Sequence, residues 1–528
     1  MTLDLSLYLV TDSTPAILGS RDIFKVVEEA CKGGVTIVQY RDKTSDTGAL
    51  VETATRLHDI TKRYNVPLII NDRVDVAIAS GAEGVHLGQD DMSITAAKKI
   101  LSKDAIVGIS ASTVEEAVKA VEEGADYLGI GTLFATATSK KSDRKTNTKN
   151  IIGTEGVKTI LDSISRLDRS VGTVGIGGIN LSNVQRVLYQ SAATNKALGG
   201  VAVVSAIMAA DDPKSVAEQF RNAIATPPVF VTRSPDESSA AVDVNALAAA
   251  VPEVVQKVVK FHPIVHSMIN FVVANFVANV AISAGLSPIM SQYGDEAKDL
   301  AVHKGGLVIN MGTLTSASIG EYLKAVKAYN SNGNPVVLDP VGAGATAIRR
   351  DAVKTLMAGG YFDLIKGNER EITQIYGNTH NLTQRGVDSG PSALNDVEKA
   401  TLARDLARRE RNIVLLTGKI DYLSDGNRVI AVKNGHELLS KATGTGCAIG
   451  TVCSAYLAAY RENKFLAVLA GLLMYEIAAE NAAAKDTVHG PGTFLPAFLD
   501  EIHSIWQKAS DGDLAWAQGR AKIEEVQL

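Results

Sequence analysis

The stretch from Leu68 to Asp91 reads LIINDRVDVAIASGAEGVHLGQDD, and it decides how the first half of the chain folds. Leu68–Ile70 is a short apolar run that stops abruptly at Asn71, Asp72 and Arg73. A helical pattern follows. Gly84–Leu87 then repeats the arrangement, an apolar run passing into Gln89, Asp90 and Asp91. Short buried strands that alternate with helices, each strand ending in polar residues, describe parallel βα units.

Outward from this stretch the same unit recurs. Strands are expected at Leu7–Val10, Thr36–Tyr40, Ala105–Ile109, Tyr127–Ile130, Val171–Gly175 and Gly200–Val204. Helical patterns follow them, such as Asp22–Cys31, Thr113–Glu122 and Pro213–Ala225. Eight units within about 225 residues predict a closed (β/α)8 TIM barrel. The structural alternative is a doubly wound open sheet, which rarely needs eight consecutive units.

Bulk properties narrow the function. A chain of 528 residues accommodates two large α/β domains. Its 53 Lys and Arg against 58 Asp and Glu leave no electrostatic footprint for nucleic acid or an anionic membrane. Three cysteines, Cys31, Cys447 and Cys453, form neither a disulfide framework nor a zinc pattern, and they fit a reducing compartment. The start, MTLDLSLYLVTD, lacks the basic region of a signal peptide. The best membrane candidate, Phe271 to Ala284, carries Asn275 and Asn279 and falls short of the roughly 20 apolar residues of a span, so a buried helix is expected there. The expectation is a cytoplasmic enzyme with no nucleic-acid or membrane partner.

In barrels of this kind the chemistry follows the strands. Strand 2 runs into Gln39, Arg41 and Lys43, strand 3 into Asn71 and Asp72, and strand 4 into Asp91. Strand 5 ends at Ser110, strand 6 at Thr136 and Thr138, strand 7 at Gly177 and Gly178, and strand 8 at Ser205. Arg41 and Lys43 supply cations for phosphate oxygens. Asp72 and Asp91 are hard oxygen ligands of the kind that hold Mg²⁺ together with substrate phosphates. Glycines after strand 7 and a serine after strand 8 fit a second phosphate site. Two phosphate regions and a metal imply pyrophosphate chemistry.

At these residues a resemblance appears. Gln39-Tyr-Arg-Asp-Lys43, Asn71-Asp-Arg73, His86-Leu-Gly-Gln89 with Asp91, Val107-Gly-Ile-Ser110, Val174-Gly-Ile-Gly-Gly-Ile179 and Gly200-Val-Ala-Val-Val-Ser-Ala-Ile207 resemble thiamine phosphate synthase. That family joins hydroxymethylpyrimidine pyrophosphate to thiazole phosphate and releases pyrophosphate. The resemblance implies that Gln39, Arg41, Lys43, Asn71 and Ser110 hold the pyrimidine pyrophosphate and that Asp72 and Asp91 hold Mg²⁺. It places Thr136, Thr138, Gly177, Gly178, Val204 and Ser205 at the thiazole phosphate. The pyrimidine methylene would develop carbocation character as pyrophosphate departs, and the thiazole nitrogen would attack it. One segment departs from the family: Ala135-Thr-Ala-Thr-Ser139 replaces Pro-Thr-x-Thr-Lys. Lys140 is expected to take the missing lysine's place, with the basic stretch up to Asn150 acting as a lid.

The segment TPPVFVTRSPDESS, Thr226 to Ser239, carries three prolines and suggests an extended connector. Domains are therefore expected at 1–226 and 240–528, with a linker at 227–239.

The second half has no Walker loop. Gly444-Thr-Gly446 instead precedes the apolar helix pattern Ile449–Tyr460, and glycine-rich turns at helix N-termini bind anions. Buried strands end at Asp339, at Leu364-Ile-Lys-Gly-Asn368 with Glu371, and at Thr417. Strands with functional ends describe an open parallel sheet covered by helices.

These pieces, with Pro263-Ile-Val-His266, Asn270, Ser287-Pro-Ile-Met290, Asn310-Met-Gly-Thr313 and Gly490-Pro-Gly-Thr493, resemble hydroxyethylthiazole kinase of the ribokinase-like fold. The resemblance puts Asn270, Met290 and Gly444 at the thiazole alcohol. It puts Lys366, Thr417, Gly444, Thr445 and Gly446 at ATP, and Asp339 and Glu371 at a second Mg²⁺. Ser267 replaces a usual Asn. Cys447 stands where relatives carry an aspartate base. A thiol at a helix N-terminus can have a lowered pKa, and Cys447 is expected to orient the alcohol or act as a weak base.

Together the halves resemble the fungal-type fusion of synthase and kinase, whose activities are consecutive. A thiazole tautomerase barrel is one rival, and Arg41, Lys43, Asp72 and Asp91 argue against it. A ligand-binding regulator with dead sites is another, disfavoured by the acids kept in both halves. Kinases of this family are typically trimers and the synthases often dimers, so a homo-oligomer, with a hexamer favoured, is expected.

Overall fold

A computed structural model describes residues 3–134, 151–231, 243–315, 317–377 and 393–528. The chain divides into two compact units between Pro228 and Val229.

In the first unit eight strands close a barrel in sequence order: β1 (Leu7–Val10), β2 (Ile37–Tyr40), β3 (Leu68–Asn71), β4 (Gly84–Leu87), β5 (Ile106–Ala111), β6 (Tyr127–Gly131), β7 (Gly172–Ile176) and β8 (Gly200–Val203). Every pair is parallel, and β8 returns to β1 with Tyr8 opposite Ala202. The open-sheet alternative is thereby excluded. Side chains alternate across each strand. One set, including Tyr8, Val10, Ile37, Ile69, Tyr127 and Val174, fills the barrel interior. The other set, including Leu7, Leu9, Val38, Leu68 and Val85, packs under the helices. Both faces are buried, which is why the strands read as continuous apolar runs.

The second unit is built on nine strands: β9 (Ile264–Met268), β10 (Ser287–Ile289), β11 (Gly306–Asn310), β12 (Val336–Asp339), β13 (Leu364–Asn368), β14 (Ile413–Thr417), β15 (Asp421–Ser424), β16 (Val429–Val432) and β17 (Ile523–Glu525). Their order is β10-β9-β11-β12-β13-β14-β15-β16-β17. The parallel sheet expected from sequence is corrected to a mixed one. Pairings from β10 to β14 are parallel, but β14-β15, β15-β16 and β16-β17 are antiparallel. The cause is local: only three residues, Gly418 to Ile420, separate β14 from β15, too few for the crossover a parallel neighbour needs. Apolar clusters cover both sheet faces.

The helix expected to be buried near Phe271 runs Ala274–Ser283. It buries Val277, Val280 and Ala281 but exposes Ile282. Among the described residues one helix, Lys464–Ala483, is long and apolar enough to cross a membrane, and 89% of its apolar window is buried within the unit.

Candidate active sites

At the C-terminal mouth of the barrel, β2 delivers Arg41 and Lys43, β3 ends at Asn71 with Asp72 next, and the turn after β4 carries Asp91. Asp72 holds a left-handed backbone (φ 62°), a conformation Asp tolerates better than most residues, and donates its N–H to His86 O at 2.9 Å. Lys43 Nζ lies 3.6 Å from Asp72 Oδ2. Arg41 Nη1 lies 4.0 Å from Asp12 Oδ2, and its backbone N–H donates to Thr11 Oγ1 at 3.0 Å. Asp91 Oδ2 accepts the Gly88 N–H at 2.6 Å.

The Asp72 and Asp91 carboxyls hydrogen-bond to each other. Burial, and then Asp91, push the Asp72 carboxyl up to about 6, against the pull of Lys43 and Arg41. Two carboxyls share a hydrogen bond only through a proton, and a hard dication satisfies the same oxygens. Among the described residues no third His, Cys, Asp or Glu joins them. The donor set therefore fits Mg²⁺, which takes one or two carboxylates and completes its shell with water and phosphate oxygens.

Beneath this mouth runs a buried chain of hydrogen bonds. Gln39 Nε2 donates to Tyr8 OH (2.8 Å), Tyr8 OH meets Tyr127 OH (2.7 Å), and Tyr127 OH meets His86 Nδ1 (2.9 Å). His86 Nε2 meets Ser110 Oγ (2.9 Å), and Gln89 Nε2 donates to Ser110 O (2.7 Å). Burial pushes His86 down to about 4, although Asp91 opposes it, so the imidazole is neutral. Gln39 and Ser110, expected at the pyrophosphate, are thus the two ends of this chain.

After β7, Gly177 and Gly178 take φ of 107° and 68°. A Cβ on Gly177 would run into Thr132, so that turn needs glycine. Asn183 Nδ2 donates to Gly178 O at 3.0 Å. After β8, Val204 leads directly into the short helix Ser205–Met208. Thr136, Thr138 and Lys140 lie outside the described residues.

In the second unit the register of β11, β12, β13 and β14 aligns the expected acids. Asn310 lies opposite Asp339, and Asn368 opposite Thr417. Asp339 is fully buried. Its Oδ1 accepts from Lys366 Nζ at 3.3 Å and its Oδ2 from Asn310 Nδ2 at 2.9 Å. Asn310 Oδ1 in turn accepts from Asn270 Nδ2 at 3.2 Å, which links the expected thiazole residue to the acid. Met290 is half-buried against the apolar cluster on the same face as Val273 and Ile449.

Glu371 closes a capping box. Its Oε2 accepts the Asn368 N–H while Asn368 caps the helix Glu369–Tyr376, and its Oε1 accepts the Gly342 N–H at 2.9 Å. Burial, and then Asp339, push Glu371 up to about 7. Each oxygen keeps a second lone pair. The two buried acids share one lysine, so this set also fits an added hard cation. Lys366, expected at ATP, gives its ammonium to Asp339. Burial opposes its charge, but Asp339, Cys447 and Glu371 hold it above the usual lysine range.

The helix Thr445–Ala459 begins at Gly444, whose φ of 97° needs glycine. A Cβ there would lie 3.0 Å from Val273 and 3.1 Å from Phe276. Thr445 Oγ1 donates to Leu439 O, and Thr445 O accepts from Tyr475 OH, which fix the first turn. This helix passes over the acid: a Cβ on Gly450 would lie 4.0 Å from Asp339 Oδ2. The lowered pKa that a helix N-terminus can give a thiol is not found at Cys447. Burial, and then the Asp339 charge, push the thiol up to about 12, outweighing Lys366 and a hydrogen bond with Asn310. Ser267 turns into the core, where Oγ meets Thr451 Oγ1 at 3.1 Å. Cys31 and Cys453 are buried.

Sequence reading missed Tyr8, Tyr127 and Arg349. Tyr8 and Tyr127 looked like ordinary strand residues. Arg349 donates to Met311 O and Val341 O (both 2.7 Å) and to Gly312 O (2.8 Å), tying together the loops after β11 and β12. Its only sequence signal was the arginine pair Arg349-Arg350 early in a helix.

Fold and sites together define an enzyme with two α/β units, each gathering acids and cations at strand ends. Residues 7–207 match the thiamine monophosphate synthase family and residues 255–508 the hydroxyethylthiazole kinase family. The probable thiamine biosynthetic bifunctional enzyme of Schizosaccharomyces pombe is 42% identical over 531 residues, covering 99% of both chains. The thiamine biosynthetic bifunctional enzyme of Saccharomyces cerevisiae is 34% identical, covering 96% of both. The thiamine-phosphate synthase of Clostridium novyi is 42% identical over 222 residues, which are 42% of this chain and 100% of that one. The chain belongs to the family of thiamine biosynthetic bifunctional enzymes, with an N-terminal thiamine-phosphate synthase domain and a C-terminal hydroxyethylthiazole kinase domain.

Proposed function

We propose the following division of labour. In the barrel, Arg41, Lys43, Asn71 and Ser110 hold the pyrimidine pyrophosphate, and Asp72 with Asp91 hold Mg²⁺. The backbone at Gly177, Gly178, Val204 and Ser205 takes the thiazole phosphate. Thr136, Thr138 and Lys140 are proposed there on the sequence resemblance alone. The observation that carries this reading is the Lys43–Asp72–Asp91 cluster, in which a cation and two adjoining carboxyls meet at one barrel mouth.

Mg²⁺ bound at these acids supplies positive charge to the pyrophosphate. Arg41 and Lys43 add to that charge and stabilise the pyrophosphate as it leaves, in a site already organised before reaction. The chain from Gln39 to Ser110 holds the floor of the site rigid, and neutral His86 keeps Ser110 Oγ oriented. Catalysis is mainly electrostatic and positional, with the thiazole nitrogen held for attack on the pyrimidine methylene.

In the second unit, Asn270 and Met290 line the thiazole-alcohol pocket beside Gly444. Thr417, Thr445 and Gly446 meet ATP, and Asp339 and Glu371 hold the second Mg²⁺, which neutralises the nucleotide phosphates. Backbone N–H groups at the start of the Thr445 helix face charge developing on the transferred phosphoryl group. Lys366 favours the charged form of Asp339 against the burial that raises its carboxyl, and acts on ATP from the floor of the site. Cys447, a neutral thiol, orients the alcohol and is not the base.

Phe271 and Val272, 73% and 80% exposed, directly follow Asn270. Adjacent large apolar side chains in water favour cover by another copy of the chain, which supports a homo-oligomer; the hexamer is proposed on the family resemblance alone. Light scattering of the full chain checks the mass. The three free cysteines support a cytoplasmic location.

The division is tested by assaying both activities in single variants. Asp91→Asn is expected to cripple the synthase and spare thiazole phosphorylation, with Asp339→Asn doing the reverse. Equal loss of both activities in a well-folded variant would contradict it.

A further inference from the structure

The kinase unit buries a second pair of acids apart from Asp339 and Glu371. Asp421 opens β15, and Glu476 lies within the helix Lys464–Ala483; each is 6% exposed. Their side chains hydrogen-bond to each other. Ionised carboxylates only accept, so one of the two holds a proton. Glu476 is the holder, because Asp421 Oδ1 already accepts the Gly418 N–H, a bond that favours the ionised Asp421. Burial, and then Asp421, drive its carboxyl far above the usual range, while Oε2 receives no hydrogen bond from a donor group.

Asp421 has a second bond, directed at the nucleotide site. Its Oδ1 accepts the N–H of Gly418 at 2.7 Å, and Gly418 follows Thr417. β14 and β15 form a tight antiparallel hairpin with Leu416 opposite Tyr422. Asp421 therefore reaches back across the hairpin to its own turn.

We propose that Asp421 and Glu476 are positioning residues for the kinase: protonated Glu476 donates to the Asp421 carboxylate, which holds the Thr417–Gly418 turn in place for ATP. The inference rests on Thr417 being a phosphate contact. Charged and titratable groups facing the pair are Lys366 from β13, Cys453 from the Thr445 helix, and Tyr475 and Glu480 beside Glu476 on its own helix. Lys366 is the cation among them. Losing the shared proton sets two negative charges side by side in a low-dielectric interior, which loosens the turn.

The test is the pH dependence of KM for ATP and of kcat in the full chain, with synthase activity as the check on folding. In the unaltered enzyme, KM for ATP is expected to rise on the alkaline side. Glu476→Gln donates an amide N–H that does not titrate, so it should keep the neutral-pH KM and lose the alkaline rise. Glu476→Ala should raise KM for ATP about tenfold with kcat within about twofold, the scale of one hydrogen bond to a charged acceptor. If Gln and Ala at 476 behave alike, or if Glu476→Gln keeps the alkaline rise, the proposal is overturned. Thr417→Ala separates the two levels. A raised KM there, with silent pair variants, removes the pair's role and leaves the Thr417 contact standing. An unchanged KM removes the Thr417 contact, and the pair's role with it.

Discussion

Lys366 Nζ lies 3.3 Å from Asp339 Oδ1, and both side chains are sealed from water, at 4% and 0% exposure. Removing one partner of a buried ion pair leaves the other charge uncompensated, which costs about 3–5 kcal/mol. Lys366→Met is therefore expected to lower the unfolding temperature of the kinase unit and abolish thiazole phosphorylation while the synthase keeps working. Lys366→Met combined with Asp339→Asn should recover much of the stability but not the activity. Calorimetry with both assays checks this. If the single and double variants melt together, the pair is not the stabilising contact described.

The buried imidazole of His86 links barrel stability to pH. Its folded pKa, about 4, lies below the ordinary 6.5 because of burial. Between these values the unfolded chain binds the proton more readily than the folded one, so stability falls as pH drops from 6.5 toward 4. The full effect is up to about 3 kcal/mol. Chemical denaturation of the barrel at pH 7 and at pH 4.5 should show the loss, and His86→Gln should flatten it. An unchanged slope in that variant would assign the acid sensitivity to other groups.

Much of this was legible in the sequence, and the rest was hidden for physical reasons. Arg41, Lys43, Asp72 and Asp91 were readable because a barrel strand places its functional residues immediately after itself, so strand and site share one stretch of sequence. The Gln39–Tyr8–Tyr127–His86–Ser110 chain was not, because its central bond joins residues 119 apart and their strands are ordinary apolar runs. The mixed sheet was missed for a similar reason. Asp421–Ser424 and Val429–Val432 are short, and β17 comes from the far end of the chain to pair with β16. The Lys366–Asp339 ion pair was not legible, because no local pattern reveals that Asp339 faces Lys366 from the neighbouring strand.

Cys447 shows how neighbours override local position. A helix N-terminus favours a thiolate, yet burial and Asp339 push the thiol up to about 12. Alkylation by iodoacetamide at pH 7.5 is expected to be slow, with no inflection below pH 9. Cys447→Ser should retain turnover within about tenfold, and Cys447→Ala should slow turnover more than it raises KM for ATP. Rapid alkylation with a midpoint near neutrality would restore the thiolate and make the residue a candidate base.

The kinase unit begins ahead of residue 240. The sequence suggested a connector over 227–239, but Phe230 is built into the second unit. Its ring stacks on Tyr361 with centroids 4.5 Å apart. Lys464 Nζ donates to Phe230 O at 2.8 Å and pairs with Asp363 Oδ1 at 2.6 Å. Asp363 Oδ2 accepts the Val336 N–H at 2.9 Å, so the seat continues into β12. A kinase fragment of residues 240–528 lacks Phe230, exposes Tyr361 and leaves Lys464 with one partner fewer. Burying a phenylalanine stabilises by about 1.5–3 kcal/mol. A fragment of residues 229–528 should therefore melt roughly 3–9 °C above one of residues 240–528. Phe230→Ala in the longer fragment should remove most of that difference, and a fragment of residues 1–228 should keep synthase activity. If the two kinase fragments melt together, Phe230 belongs to the connector and the unit begins after it.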